Sequence, residues 1–284
     1  MADKERIGFK QFMGLYGMYA RMDAAWFLRD TKYCIMGMFA DFISNISAIS
    51  GVLLLAWRFD GVGGMSKYEV LFMLGYVTTV TGIYQLFFSA NNVGHISRRI
   101  GRGQLDHMLM QPLPMPVQLL VEGFIPVSGS GNMLSGFVVI GIALYNLSMR
   151  ITFTWFLLLF INLFITMVLI ISLSYLFSCI TFYAPVAAEE ISSYVINLIG
   201  TLSNYPLSGM PIVAQVVLIT VIPAGLMGWF PACALLGKAP LGFSVFYPFI
   251  IAAILAFAAS MLFKKGLKHY VKIGSNRYKS MGHR

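Results

Sequence analysis

Uncharged apolar runs of about twenty residues recur along the chain, separated by short polar, glycine- or proline-rich breaks. A helix of that length crosses the ~30 Å hydrocarbon core of a bilayer. The pattern predicts six spans, at roughly 33–57, 68–90, 117–145, 154–182, a fifth that follows "YAPVAAEE" and runs to about Ser203, and 243–263. Between the fifth and sixth, "NYPLSGMP" breaks the helix, and the apolar stretch 211–236 is interrupted by Pro223, Gly225, Gly228 and Pro231. It reads as a broken hairpin dipping into the membrane, since irregular backbone at that depth must pack in protein or face water. Ahead of the first span, Phe9, Phe12, Met13, Tyr16, Tyr19, Ala20 and Phe27 recur at three- and four-residue steps, with Lys4, Lys10, Gln11 and Arg21 on other faces. Such a helix lies in the membrane interface, docks on the protein's own spans, or does both.

Composition removes the soluble alternative. Of 284 residues 58% are hydrophobic and 11% charged, against about 25% charged in soluble domains. The expected fold class is an all-α integral membrane protein. It forms one transmembrane domain over 1–284, with an interfacial helix at 1–32, spans within 33–263 and a basic tail at 264–284. Residues 1–32 lack the uninterrupted apolar core of a cleavable signal peptide, so the first span is expected to direct insertion. Cys34, Cys179 and Cys233 have no metal or redox spacing and read as small apolar residues.

The net charge of +9 is distributed unevenly over the predicted loops. With six spans, Lys4, Arg6, Lys10, Arg21, Arg29, Lys32, Arg98, Arg99, Arg102 and the lysines and arginines after 263 share one side. Only Arg58, Lys67, Arg150 and Lys238 fall on the other. The positive-inside rule then places both termini in the cytoplasm. The basicity is a topology signal, and no nucleic-acid partner need be invoked.

The longest cytoplasmic loop, "HISRRIGRGQLDHMLMQPLPMP" at 95–116, is patterned beyond what a tether needs. Ile96, Ile100, Leu105, Met108 and Leu109 offer apolar contacts at helical spacing. Arg98, Arg99 and Arg102 would point to water, headgroups or a partner. Gly101 and Gly103 permit a bend, and Pro112, Pro114 and Pro116 forbid an immediate return to regular helix. A pair of short helices below the membrane is predicted, with Leu105 filling a groove on a peripheral partner.

"ISRRIGRGQLDHMLMQPLP" resembles the segment I-x-x-x-I-x-x-G-x-L-D-x-x-L-x-x-P that follows the second span of ABC-2-type transporter permeases. "NYPLSGMP…VIPAGLMGWFPACALLG" resembles the segment after the fifth span in the prokaryotic uncharacterised-permease branch. The resemblance implies a half-transporter in a prokaryotic plasma membrane. It pairs with a second permease chain, identical or homologous, and sits among membrane lipid on a separate ATP-binding subunit. ATP and Mg would be held by that partner, with no cofactor or metal on this chain. The loop would carry ATPase coupling through Arg98, Arg99, Ile100, Arg102, Gly103, Leu105 and Asp106. In agreement, no G-x-x-x-x-G-K-[ST] motif occurs.

Glu190, Ser193, Asn197, Thr201 and Asn204 form one polar stripe along the predicted fifth span. Polar groups at that depth face other helices or water. They make interhelical hydrogen bonds or line a translocation path, and the resemblance favours the path. Tyr84 and Phe87 on the second span are further candidates for its wall, with packing as the alternative. Asp41 and Glu122 are the acids expected within spans. Ser128, Gly131, Asn132 and Ser135 suit tight helix packing. No nucleophile–base pair or metal cluster suggests an intramembrane enzyme. The leading expectation is a non-catalytic permease exporting an amphipathic or small-molecule substrate, with a stand-alone secondary transporter or channel as the alternative.

Overall fold

The computed structural model describes residues 8–88, 104–121, 124 and 129–273. It is 83% helical, and the one strand pair among the described residues is a hairpin joining Gly61–Val62 to Met65–Ser66. The all-α expectation holds. In chain order the helices are α1 (Phe9–Leu28), α2 (Thr31–Arg58), α3 (Lys67–Phe87), α4 (Gln104–Met110), α5 (Met115–Val121), α6 (Ser130–Leu147), α7 (Phe153–Ser178), α8 (Pro185–Leu202), α9 (Ile212–Thr220), α10 (Trp229–Leu235) and α11 (Leu241–Ile273). Single 3-10 turns at Cys179–Phe182, Leu207–Gly209 and Pro223–Leu226 join some of them.

Local chemistry sets several starts. The Asp30 carboxylate accepts the Tyr33 N–H at 3.1 Å and so caps α2. At α3, Glu69 Oε2 accepts the Ser66 N–H at 2.7 Å in a capping box. α1 docks through its Phe12, Tyr16 and Phe27 face, and the Tyr16 hydroxyl reaches the Phe87 carbonyl at 3.4 Å. Burial, helped by Asp23, pushes the Tyr16 phenol up to about 12. The other face leaves Phe9, Met18, Met22 and Leu28 exposed.

Helix α3 is the centre of the bundle and is buried along most of its length. Its closest partner is α6, and glycines let the two backbones meet. A Cβ on Gly82 would lie 2.6 Å from Met133 Cα, and one on Gly136 would lie 2.9 Å from Thr79 Cα. This is small-residue packing of the kind found between membrane helices. Gly131 does the same toward α2, where a Cβ would come within 2.7 Å of the Met38 carbonyl oxygen. By contrast α2 is mostly exposed, presenting Phe39, Ile43 and Leu54 outward, as suits lipid or another chain.

Five helices are long and apolar enough to cross a membrane: α2, α3, α6, α7 with its continuation to Phe182, and α11. A sixth is possible if α9 and the 223–235 segment count as one, although they are bent by 70°. The predicted spans need three corrections. The third does not begin at Val117: α5 ends at Val121, Phe124 is not helical, and α6 starts at Ser130 after Gly129 at φ +83°. Gly129, in the left-handed region that glycine adopts freely, stands at the start of α6. The predicted fifth span corresponds to helix α8, which begins at Pro185 within the expected connection, matches α6 in length at 18 residues, and is too polar to count among the helices able to cross a membrane. The predicted sixth ends too early. α11 continues ten residues past Phe263, to Ile273, as one 33-residue helix about 50 Å long, so the first part of the basic tail is helix.

Candidate functional site

A cavity of about 680 Å³ lies between α2, α3, α6 and α8 and reaches Met227 beyond them. Its walls are unusually polar for the middle of such a bundle. α2 contributes Asp41, Ser44 and Asn45; α3 contributes Thr78, Thr81, Tyr84 and Gln85; α6 contributes Asn132. From α8 come Asn197, Gly200 and Thr201, with Asn204 just beyond its end. Asn197 and Thr201 are exposed, so the α8 wall is open. The Thr201 hydroxyl donates to the Asn197 carbonyl at 2.9 Å, which satisfies it within the helix.

The opposite wall is a relay of amides. Thr78 Oγ1 donates to Asn45 Oδ1 at 3.4 Å, Asn45 Nδ2 to Asn132 Oδ1 at 3.1 Å, and Asn132 Nδ2 to Gln85 Oε1 at 2.9 Å. Asp41 Oδ2 accepts the Gly129 N–H at 3.0 Å. Buried polar groups in hydrocarbon need such partners, and this network ties three helices together along one side of the cavity.

The predicted path residues divide. Tyr84, Asn197 and Thr201 line the cavity, with the Tyr84 hydroxyl donating to Ser174 Oγ at 3.2 Å. Phe87 does not line it; its ring lies 5.8 Å from Phe124, centroid to centroid. The backbone of Ser193 is in α8, and its side chain is outside the described residues, as are Glu122 and Ser128. The lining residues Asn45, Thr78, Thr81 and Gln85 were not foreseen. Thr78, Thr81 and Gln85 recur at three- and four-residue steps along an apolar run, and that spacing was the available signal; Asn45 sits in a mixed stretch beside Ser44 and Ser47.

The loop segment is described only in part. Arg98, Arg99, Ile100, Arg102 and Gly103 lie outside the described residues. α4 carries Leu105 and Asp106. Leu105 is 1% exposed and packs with Met108, Met115, Leu119, Phe182, Phe263 and Tyr270. The apolar groove predicted on a partner is therefore provided by this chain, because α5, the end of α7 and the extension of α11 enclose it. The Tyr270 hydroxyl donates to Asp106 Oδ1 at 2.9 Å. Gln118 Nε2 donates to the carbonyls of Met108 at 2.9 Å and Leu113 at 2.7 Å, holding the turn after α4. Gln104, His107 and Met110, the last 74% exposed, form the outward face of α4.

At the far end of the bundle the hairpin meets both ends of the broken segment. A Cβ on Gly63, at φ +61°, would lie 2.7 Å from the Gly209 nitrogen. Lys238 Nζ sits 2.6 Å from Glu69 Oε2 and 3.2 Å from the Gly64 carbonyl. Between those anchors Trp229 Nε1 donates to Ser208 Oγ at 3.2 Å and Trp155 Nε1 to the Leu235 carbonyl at 3.0 Å.

Among the described residues no group of His, Cys, Asp and Glu is placed to hold a metal ion. No curated protein and no solved structure matches the chain. The family described as "ABC-2 family transporter protein" matches residues 42–274, a stretch that includes α3, every lining residue of the polar cavity except Asp41, the broken segment and all of α11. The chain belongs to the ABC-2 transporter family and is a membrane permease component of an ABC transporter.

Proposed function

We propose that this chain forms a translocation path for export together with a second permease chain, identical or homologous, and is driven by separate ATP-binding subunits. The observation that carries this reading is the polar cavity, open along the Asn197–Thr201 wall. A path for an amphipathic or small-molecule substrate needs polar groups that are solvated or shared across an interface, and α8 carries them on its open face. Exposed apolar residues on α2 and α8, including Phe39, Ile43, Tyr194 and Leu198, suit contact with a second chain.

Six crossings by α2, α3, α6, α7, α8 and α11 place both termini on the basic, cytoplasmic side of a prokaryotic plasma membrane. That the 209 and 238 ends of the broken segment meet the same hairpin supports a re-entrant fold rather than an extra crossing. Coupling to the ATP-binding subunit runs through the segment from Arg98 to Asp106. Leu105 and Asp106 fix α4 to this chain, and Gln104, His107 and Met110 of the same helix face outward. ATP and Mg belong to the partner subunit.

Thiol accessibility tests the reading without knowledge of the substrate. The native cysteines are buried, so Asn197→Cys gives a reporter in the purified complex. ATP is expected to change its labelling by a water-soluble thiol reagent. Labelling that is indifferent to ATP, in a complex that hydrolyses it, removes the cavity from the path.

A further inference from the structure

A second, smaller cavity lies apart from the polar one, at the end of the bundle where the lysines gather. It has a volume of about 240 Å³ and is set between α5, α7 and α11. Leu120, Ile171, Tyr175 and Phe263 make its walls apolar, and Ala256 and Ala259 leave room on the α11 side. Its rim on α11 is Ser260 and Lys264, both exposed. This is a slot of hydrocarbon character whose mouth carries a hydroxyl and an ammonium.

The charge does not stop at the rim. Lys268 follows Lys264 by four residues on the same helix, and positions i and i+4 share a face about one turn apart. Side chains on a helix lean toward its N-terminus, so the Lys268 stem is directed back toward the mouth. Lys264, Lys265, Lys268 and Lys272 are all exposed, and none makes an ion pair with a described residue. The other face of this helical stretch, Phe263, Leu267 and Tyr270, is already occupied by α4 and the Cys179–Phe182 turn. The lysine face is open, rigid and continuous with the slot.

We infer that the α5–α7–α11 slot is a binding site for an anionic phospholipid, with an acyl chain in the apolar cavity and the phosphate held by Lys264 and Lys268. An apolar slot alone accepts any lipid tail, and a basic stripe alone attracts any polyanion. Their junction at Lys264 selects a ligand with one end of each kind. Basic pockets between membrane helices are suited to anionic headgroups. The site requires only that the chain lies in a membrane, and its failure would leave the transport reading standing.

The test uses the purified full-length chain and native mass spectrometry, with phosphatidylglycerol competing against phosphatidylcholine of identical acyl chains. At about fivefold per lysine, a preference of roughly thirtyfold for the anionic lipid is expected. Lys264→Gln with Lys268→Gln should abolish the preference. Ser260→Phe, which fills the mouth from an exposed position, should reduce binding of the anionic lipid while leaving every lysine in place. Any of the following results overturns the inference. One is equal retention of the two lipids. Another is a preference that survives the double lysine variant. The third is full binding in Ser260→Phe, or displacement of the lipid by millimolar glycerol 3-phosphate, which would show a phosphate-attracting stripe that makes no use of the slot.

Discussion

Truncating Leu105 to alanine should release α4 from the bundle without unfolding it. The side chain is 1% exposed and lies among residues of α5, the Cys179–Phe182 turn and α11. Removing a buried leucine beyond Cβ destabilises by about 2–5 kcal/mol, the transfer term plus the cavity left behind. A seven-residue helix has no stability of its own, so the loss falls on its docking equilibrium. Even 2 kcal/mol corresponds to roughly thirtyfold more undocked α4. Hydrogen–deuterium exchange over 104–110 reads this directly, and amide exchange there should accelerate by about that factor or more. Tyr270→Phe removes the hydroxyl that donates to Asp106. A bond to a charged acceptor contributes about 1.5–3 kcal/mol, but Asp106 is partly exposed and can turn to water, so a few-fold acceleration is expected. If Leu105→Ala leaves exchange over 104–110 unchanged while α3 and α6 keep theirs, the chain's own groove does not hold α4, and the reasoning from burial fails.

Gly82→Ala would place a methyl 2.6 Å from Met133 Cα and should destabilise the α3–α6 seam by about 1–3 kcal/mol, seen as a lower melting temperature in detergent; an unchanged melting temperature would contradict the close approach. Asn132→Leu takes one hydrogen-bond partner each from Asn45 and Gln85 and should destabilise by about 1–3 kcal/mol, more than Asn146→Leu, whose amide bonds an exposed carbonyl of its own helix. Lys238→Ala should change stability by no more than about 1 kcal/mol because the Glu69 pair is partly exposed. A cysteine at Arg58 should label from outside intact cells and one at Lys279 should not; labelling of the latter would reverse the topology. The pure chain should show no ATP hydrolysis, and activity that persists after removal of all other subunits would refute a separate motor.

Most helices were legible because a membrane-spanning run is a crude and strong signal: length and absence of charge suffice for α2, α3 and α7. The errors arose where averaged hydrophobicity hides a local event. Residues 117–121 are as apolar as 130–147, so the break between them is betrayed only by single residues such as Pro126 and Gly129. The extension of α11 looked like a solvated tail because lysines dominate its composition, although Phe263, Leu267 and Tyr270 repeat at helical spacing. In the cavity, Asn197 and Thr201 could be found because they belong to a periodic stripe. Asn45 lies in α2 and Thr78, Thr81 and Gln85 in α3, and only tertiary packing joins the two sets through Asn132 of α6. Leu105 shows a further limit. Periodicity says that a side chain is buried, and it does not say by which chain.

The uninterrupted course of α11 constrains how this gene can change length. One helix joins the α10 contacts near Phe243 to the Asp106 contact of Tyr270, so its two halves share a single angular register. Each inserted residue turns everything downstream by 100° and advances it 1.5 Å. A single codon added near Leu255 would swing Tyr270 off Asp106 and bring a lysine of the exposed stripe toward the seat of α4. Four added codons would return the faces to within about 40° while pushing them about 6 Å outward. Homologous chains should therefore vary freely in the loops that flank α11 and carry almost no insertions or deletions within it.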